Sequence, residues 1–210
     1  MAFPNTGVLD SFNAGAFQNL SARAGWSGTV LAAHDWITDS TPTLANANLT
    51  PGGNMWGSQW TDAECWCTFT TLGSGVSFDI CARVQAFSQF GSTYYCVRAT
   101  TSTFRLVLMN GGGATTLATY GPGITGAAGD AIGVEVLGST INGYYKPSGG
   151  SWSQLITATD STITGLGNLA LTHVSSNTVA IDEFGGGQGV APPAAPPRQI
   201  RVVRRIGSGA

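Results

Sequence analysis

The stretches AECWCTFT (63–70) and VSFDICARV (76–84) decide how this chain folds. In the first, Ala63, Cys65, Cys67 and Phe69 share one face, while Glu64, Trp66, Thr68 and Thr70 share the other. In the second, Val76, Phe78, Ile80, Ala82 and Val84 oppose Ser77, Asp79, Cys81 and Arg83. A period of two marks half-buried β-strands, because successive side chains leave a strand on opposite sides. Gly73-Ser74-Gly75 between the two runs reads as a hairpin turn.

Working outward, similar runs occur at 94–100, 103–109, 114–120 and 131–137, the last turning at Gly138-Ser139 into 140–146. Others follow at 153–159, 168–174 and 178–184, with an early strand near 8–13. Only 13–24 can hold a short helical turn. About ten to twelve short strands joined by tight turns imply an all-β fold of two antiparallel sheets packed face to face, each with one buried and one wet face.

Composition agrees. Of 210 residues 42% are hydrophobic and only 10% charged, against about 25% charged in an ordinary globular chain. Surface polarity comes instead from 25 Thr and 18 Ser, and with one Lys and three Glu the sequence excludes helix bundles and coiled coils. No apolar run reaches the roughly 18 residues that cross a bilayer, so no membrane partner is expected. MAFPNTGVLDSFNAG (1–15) has neither a basic region nor a long apolar run, so no secretory signal is expected.

Charge and composition divide the chain. Residues 1–197 hold five basic and eleven acidic side chains, whereas 198–210 hold Arg198, Arg201, Arg204 and Arg205 and no acid. An acidic body argues against nucleic acid as its partner. GGGQG (185–189) reads as the end of the last strand, and the prolines at 192, 193, 196 and 197 as an extended connector. The expected organisation is a sandwich over 1–186, a Gly/Pro-rich linker over 187–197 and a basic attachment segment over 198–210.

The chemistry-bearing residues are few. Glu64, Glu135 and Glu183 lie on three separate strands. Glu64 and Glu135 can face each other across a sheet, but the expectation is of solvated strand residues and no enzyme. His34 and His173 come without a Gly-x-Ser-x-Gly elbow, and His173 alternates with Leu169 and Leu171 as a structural, half-buried histidine. Cys65 and Cys67 are about 7 Å apart by strand rise, too far to bridge. Cys81 and Cys96 can be cross-strand neighbours, and all four thiols read as small buried hydrophobes. Six tryptophans leave more to explain. Trp66 shares the wetter face with Glu64 and Thr68, and Trp56 and Trp60 fall in the glycine-rich PGGNMWGSQW (51–60), read as a loop. Flat aromatic faces beside polar groups suit a sugar ring, so Trp56, Trp60 and Trp66 are the candidate glycan-binding residues. Anchoring of core and loops is their other reading.

The order of LDSFN (9–13), Gly25-Trp26, GDAIGVEVLGSTINGYYKP (129–147), SQLITATDSTITGLGNLALTH (153–173) and AIDEFGG (180–186) resembles the concanavalin A-like, or laminin-G-like, jelly-roll modules. The resemblance implies that a first strand bearing Asp10-Ser11-Phe12 pairs with a last strand bearing Asp182-Glu183-Phe184. It also implies a structural calcium where they meet, with Asp10 and Asp182 as ligands. The Glu-x-Asp-x-x-Glu string of the glucanase-like members is missing. A module of this kind followed by a proline-rich linker and a basic end resembles structural proteins of tailed bacteriophages. The implied role is a non-enzymatic virion module, either a capsid decoration, a head fibre or a tail-associated protein, assembled in the host cytoplasm. It would reach other virion proteins through Arg198, Arg201, Arg204 and Arg205, with surface glycans as further ligands. The alternatives are a lectin-like carbohydrate-binding module and a glycoside hydrolase of the same fold.

Overall fold

The computed structural model describes residues 3–13, 17–31, 35–38, 45–47, 52–88, 91–173 and 179–190. Its strands are β1 (Val8–Asp10), β2 (Gln18–Asn19), β3 (Trp26–Leu31), β4 (Trp36–Thr38), β5 (Ala45–Ala47), β6 (Gly52–Trp60), β7 (Ala63–Leu72) and β8 (Phe78–Ala86). They continue as β9 (Thr93–Ala99), β10 (Phe104–Asn110), β11 (Gly113–Tyr120), β12 (Ala131–Leu137), β13 (Thr140–Lys146), β14 (Ser153–Thr159), β15 (Gly167–His173) and β16 (Val179–Gln188). A single 3-10 turn, Leu20–Ala22, falls inside the stretch expected to hold one.

Two antiparallel sheets form the sandwich. The first has the order β14-β13-β12-β7-β16-β5-β4-β2, with β1 also paired to β16; the second has the order β11-β10-β9-β8-β15-β6-β3. Val8 and Asp10 register with Gly185 and Phe184, so the two Asp-x-Phe strands do meet. The core lies between the sheets, where Cys65, Cys67 and Phe69 of β7 join Phe78, Ile80 and Ala82 of β8, Ile132, Val134 and Val136 of β12, and Phe184. Alternation thus chose the buried faces as expected.

Four details differ from the sequence reading, each for a physical reason. Gly73-Ser74-Gly75 is not a hairpin, since β7 and β8 lie in different sheets and the turn carries the chain across the core. The run 76–84 loses its period at Arg83, which takes a positive φ of 52° in an irregularity of the β8–β9 pairing. A bulge of this kind reverses the side-chain faces beyond it, so Val84 leaves the core for a second cluster with Cys81, Tyr94, Cys96 and Val107 on the far face of its sheet. Arg83 is left almost fully buried, donating to the carbonyls of Thr61, Gly138 and Ile163. PGGNMWGSQW supplies a strand and not a loop, because Gly25 leaves space for the Trp56 ring that a Cβ would fill at 2.2 Å. Finally, the glycine run does not end the last strand: Gly186, Gly187 and Gln188 register with Cys65, Glu64 and Ala63. The basic segment, with Arg198, Arg201, Arg204 and Arg205, lies outside the described residues, as does His34.

Candidate functional site

The outer face of the first sheet, turned away from the core, gathers polar and aromatic side chains from three adjacent strands. β7 contributes Glu64 and Trp66, β12 contributes Glu135, and β13 contributes Asn142 and Tyr144; each alternates with a core residue such as Cys65, Val134 or Ile141. Register makes the group. Glu64 lies directly opposite Glu135, which lies opposite Asn142, which lies opposite Thr157.

Two carboxylates directly opposite each other repel, so each must be held by donors. Glu135 Oε2 accepts from Asn142 Nδ2 and from the Tyr144 hydroxyl, both at 2.9 Å, and Thr157 Oγ1 donates to Asn142 Oδ1 at 2.8 Å, fixing the amide's orientation. Glu64 Oε1 accepts the backbone N–H of Asn5, the backbone N–H of Thr6 and the Thr6 hydroxyl, each at 2.6 Å, and Asn5 Nδ2 approaches Oε2 at 3.4 Å. Burial, the Glu135 carboxylate and more weakly Glu64 push the Tyr144 hydroxyl well above the usual phenol range, so it stays a donor.

Aromatic rings complete the face. Phe3 stacks flat on Tyr144, with centroids 3.9 Å apart and planes 1° apart, and meets Trp152 edge-on at 4.9 Å. Trp66 lies 6.4 Å from Trp152 in an edge contact. Two glycines make room for these rings: a Cβ on Gly133 would stand 2.3 Å from the Phe3 ring, and one on Gly185 would stand 2.2 Å from Trp66. Trp66 is only 8% exposed, and its indole N–H has no hydrogen-bond partner among the described residues.

Of the three candidate tryptophans, then, Trp66 stands on this face. Trp56 and Trp60 pack instead against the core, where Trp56 meets Trp26 edge-on at 5.4 Å. Asn142, Tyr144, Trp152 and the segment over Phe3, Asn5 and Thr6 did not emerge from the sequence. For the β13 pair a signal existed, since the Gly138-Ser139 turn fixes which residue opposes Glu135.

The expected calcium site is replaced by an ion pair. Asp10 accepts from Arg23 Nη2 at 2.6 Å and Nε at 2.9 Å, from the Trp26 indole at 2.8 Å and from the Phe12 N–H at 2.7 Å. A cation there would have to displace a guanidinium. Asp182 is half-buried, and burial pushes its carboxyl up, which opposes the charge a cation needs. Among the described residues no three His, Cys, Asp or Glu side chains come together as a metal-holding group. Asp10, engaged by Arg23, Trp26 and the Phe12 N–H, therefore does not fit a calcium ion. His173 is buried and packs edge-on against Trp36, and Cys81 and Cys96 are register partners without a disulfide.

Burial alone would push the Asp10 carboxyl up, but the bonds from Arg23, Trp26 and Phe12, with the guanidinium charge, hold it below the usual range. A depressed folded-state value stabilises the fold above the unfolded carboxyl's pKa of about 3.9, and that contribution disappears as pH falls through the lower folded value. Asp10→Asn is expected to cost about 2 kcal/mol at pH 7, the Arg23 side chain keeping some solvent. In denaturation curves the gap between the two proteins should narrow steadily below pH 4. A gap unchanged down to pH 2 would show that the pair does not stabilise the fold.

No protein-family model matches the sequence, and no curated protein matches it. Solved structures do match in shape. The carbohydrate-binding module CBM66 from Bacillus subtilis superposes with a TM-score of 0.56 at 17% identity, over 76% of this chain and 91% of that one. The Ca2+-bound exoplasmic/lumenal domain of VIP36 gives 0.61 at 13% identity, over 88% and 90%. The Bacillus licheniformis β-glucanase gives 0.59 at 10% identity, over 88% and 98%. The fold is the two-sheet antiparallel jelly roll that these structures share.

Proposed function

We propose that this chain is a carbohydrate-binding module whose ligand lies on the outer face of the first sheet, over Tyr144 and Trp152 and beside the Glu64–Glu135 pair. The observation that carries this reading is the register that places carboxylate, amide, hydroxyl and aromatic side chains together on a face the core does not use. Aromatic rings give a sugar an apolar platform, and fixed acceptors select its hydroxyls. The fold's occurrence in a carbohydrate-binding module and in a VIP36 domain solved with Man3GlcNAc supports the reading. A virion role rests on the composition of the C-terminal segment and on the phage resemblance alone, and it is compatible with a module that binds glycans.

Hydrolysis is the second reading, favoured by one observation. Glu64 and Glu135 lie directly opposite each other on neighbouring strands, where Cβ atoms stand about 4.5–5.5 Å apart, and retaining glycosidases use a pair of carboxyl groups about 5 Å apart. Such a reaction needs one of them to donate a proton, whereas the bonds drawn to Glu64 and Glu135 are all accepted ones. Binding without turnover is the reading we propose.

Retention on immobilised polysaccharides, followed by calorimetry, tests this. Trp152→Ala and Glu135→Gln are each expected to weaken binding about tenfold or more, the loss of one good stacking or charge-assisted contact, with no release of reducing sugar. Release abolished by Glu64→Gln or Glu135→Gln would establish the hydrolase instead. If no glycan retains either the chain or its Phe3→Ala variant, the proposal fails.

A further inference from the structure

The segment Phe3–Thr6 sits where the ligand of the proposed site would sit. Phe3 is 7% exposed and lies flat on Tyr144, in the place of a stacked sugar ring. Asn5 and Thr6 direct two N–H groups and one hydroxyl at Glu64 Oε1, and that carboxylate is left with no exposed surface. Two glycines of the sheet make room for the segment: Phe3 covers Gly133, and Thr6 lies 3.1 Å from where a Gly187 Cβ would be. The segment then enters the sheet edgewise, with Gly7 accepting from the Gly186 N–H at 3.3 Å, before β1 begins.

Resting on the carbohydrate-binding reading above, we infer that Phe3–Thr6 is an internal ligand that competes with a neutral, hydroxyl-rich glycan for Tyr144 and Glu64. The contacts give the chemical class. Glu64 and Glu135 only accept, so the ligand must donate to them. The Trp66 indole only donates, and it is more than nine-tenths buried with no partner among the described residues, so the ligand must also accept. A hydroxyl does both, and a stacked pyranose carries several. Two adjacent carboxylates repel an acidic sugar, so uronic and sialic acids are excluded. The segment lends the face its donors and its ring but leaves the indole unpaired. A site filled by its own chain binds more weakly by the fraction of time it is open, so weakening the segment should strengthen binding.

The test uses the full chain and two variants, Phe3→Ala, which removes the stacked ring, and Thr6→Val, which removes one donor to Glu64 at nearly constant shape. Calorimetry with a neutral glucan or mannan oligosaccharide should show affinity rising about tenfold for Phe3→Ala and less for Thr6→Val. A uronic-acid oligosaccharide of equal length should bind none of the three. In hydrogen exchange, the Asn5 and Thr6 amides of the unaltered chain should exchange faster as the neutral oligosaccharide saturates it. If glycan binds all three proteins equally and those amides stay protected, the segment is a structural element and the inference falls while the binding function stands. If neither the chain nor its variants bind any glycan, both fall. Tighter binding of the uronic acid overturns the assigned ligand class.

Discussion

Phe184→Ala is expected to cost about 3–5 kcal/mol, the range for truncating a fully buried aromatic side chain. Phe184 has no exposed surface and packs 4.8 Å from Trp26 and 6.2 Å from Trp56, ring centroid to ring centroid. The strand that holds it lies between β7 and β5 and pairs also with β1. The surrounding rings come from β3 and β6, paired strands of the facing sheet, so they cannot close over the space left behind, and the cavity term adds to the lost transfer energy. Chemical denaturation reads the effect as a shift of the midpoint at constant slope. A loss under about 1 kcal/mol would mean that the site collapses freely, which contradicts an interior packed between two sheets.

Gly186→Ala is the second large effect, expected at about 3 kcal/mol from backbone strain and overpacking together. Gly186 has a φ of +154°, a conformation that side-chain-bearing residues rarely adopt. A Cβ there would stand 2.5 Å from the Glu64 carbonyl oxygen and 2.5 Å from a Leu169 methyl, and the first of these is backbone that cannot swing away. The same change in a flexible connector would be neutral or slightly stabilising, because alanine reduces the freedom of the unfolded chain. The sign of the measured change therefore decides whether Gly186 is held in the sheet between Glu64 and Leu169 or is free of them.

That question marks where sequence reading reached its limit. Alternation in AECWCTFT was enough to put Cys65 and Cys67 on the core face and Glu64 and Trp66 on the other, but Glu64 and Glu135, expected to be solvated, are 0% and 5% exposed, because Asn5, Thr6, Asn142 and Tyr144 cover them. The tight turn at Gly138-Ser139 likewise set Glu135 against Asn142. That Glu64 and Glu135 can face each other was legible, and their register bears it out, but that β7 and β12 are directly paired was not: they are far apart in sequence, and nothing local records which strands lie side by side. GGGQG misled because glycines ordinarily weaken a strand. Here their missing side chains are the reason Trp66 and Thr6 can lie on the sheet. Trp56 and Trp60 were masked by the same residue type, in a stretch whose glycines hid its period. Phe3–Thr6 carries no period at all, since it pairs through side chains and single N–H groups and not through a ladder.

The position of β16 in the middle of its sheet has a consequence for how the protein is made. While the ribosome has released only the chain up to residue 178, β7 and β5 stand with open edges on either side of a missing strand, and β1 has no partner. Such edges are templates for other chains. The halves of the sheet cannot join until β16 has emerged, so folding of this sheet waits for that strand. Pairing β1 with β16 then closes contacts of nearly the largest sequence separation the domain offers, a topology that folds slowly. Soluble yield in a fast expression host should therefore depend on translation rate and temperature more than on the stability of the finished domain, with aggregation beginning on the nascent chain.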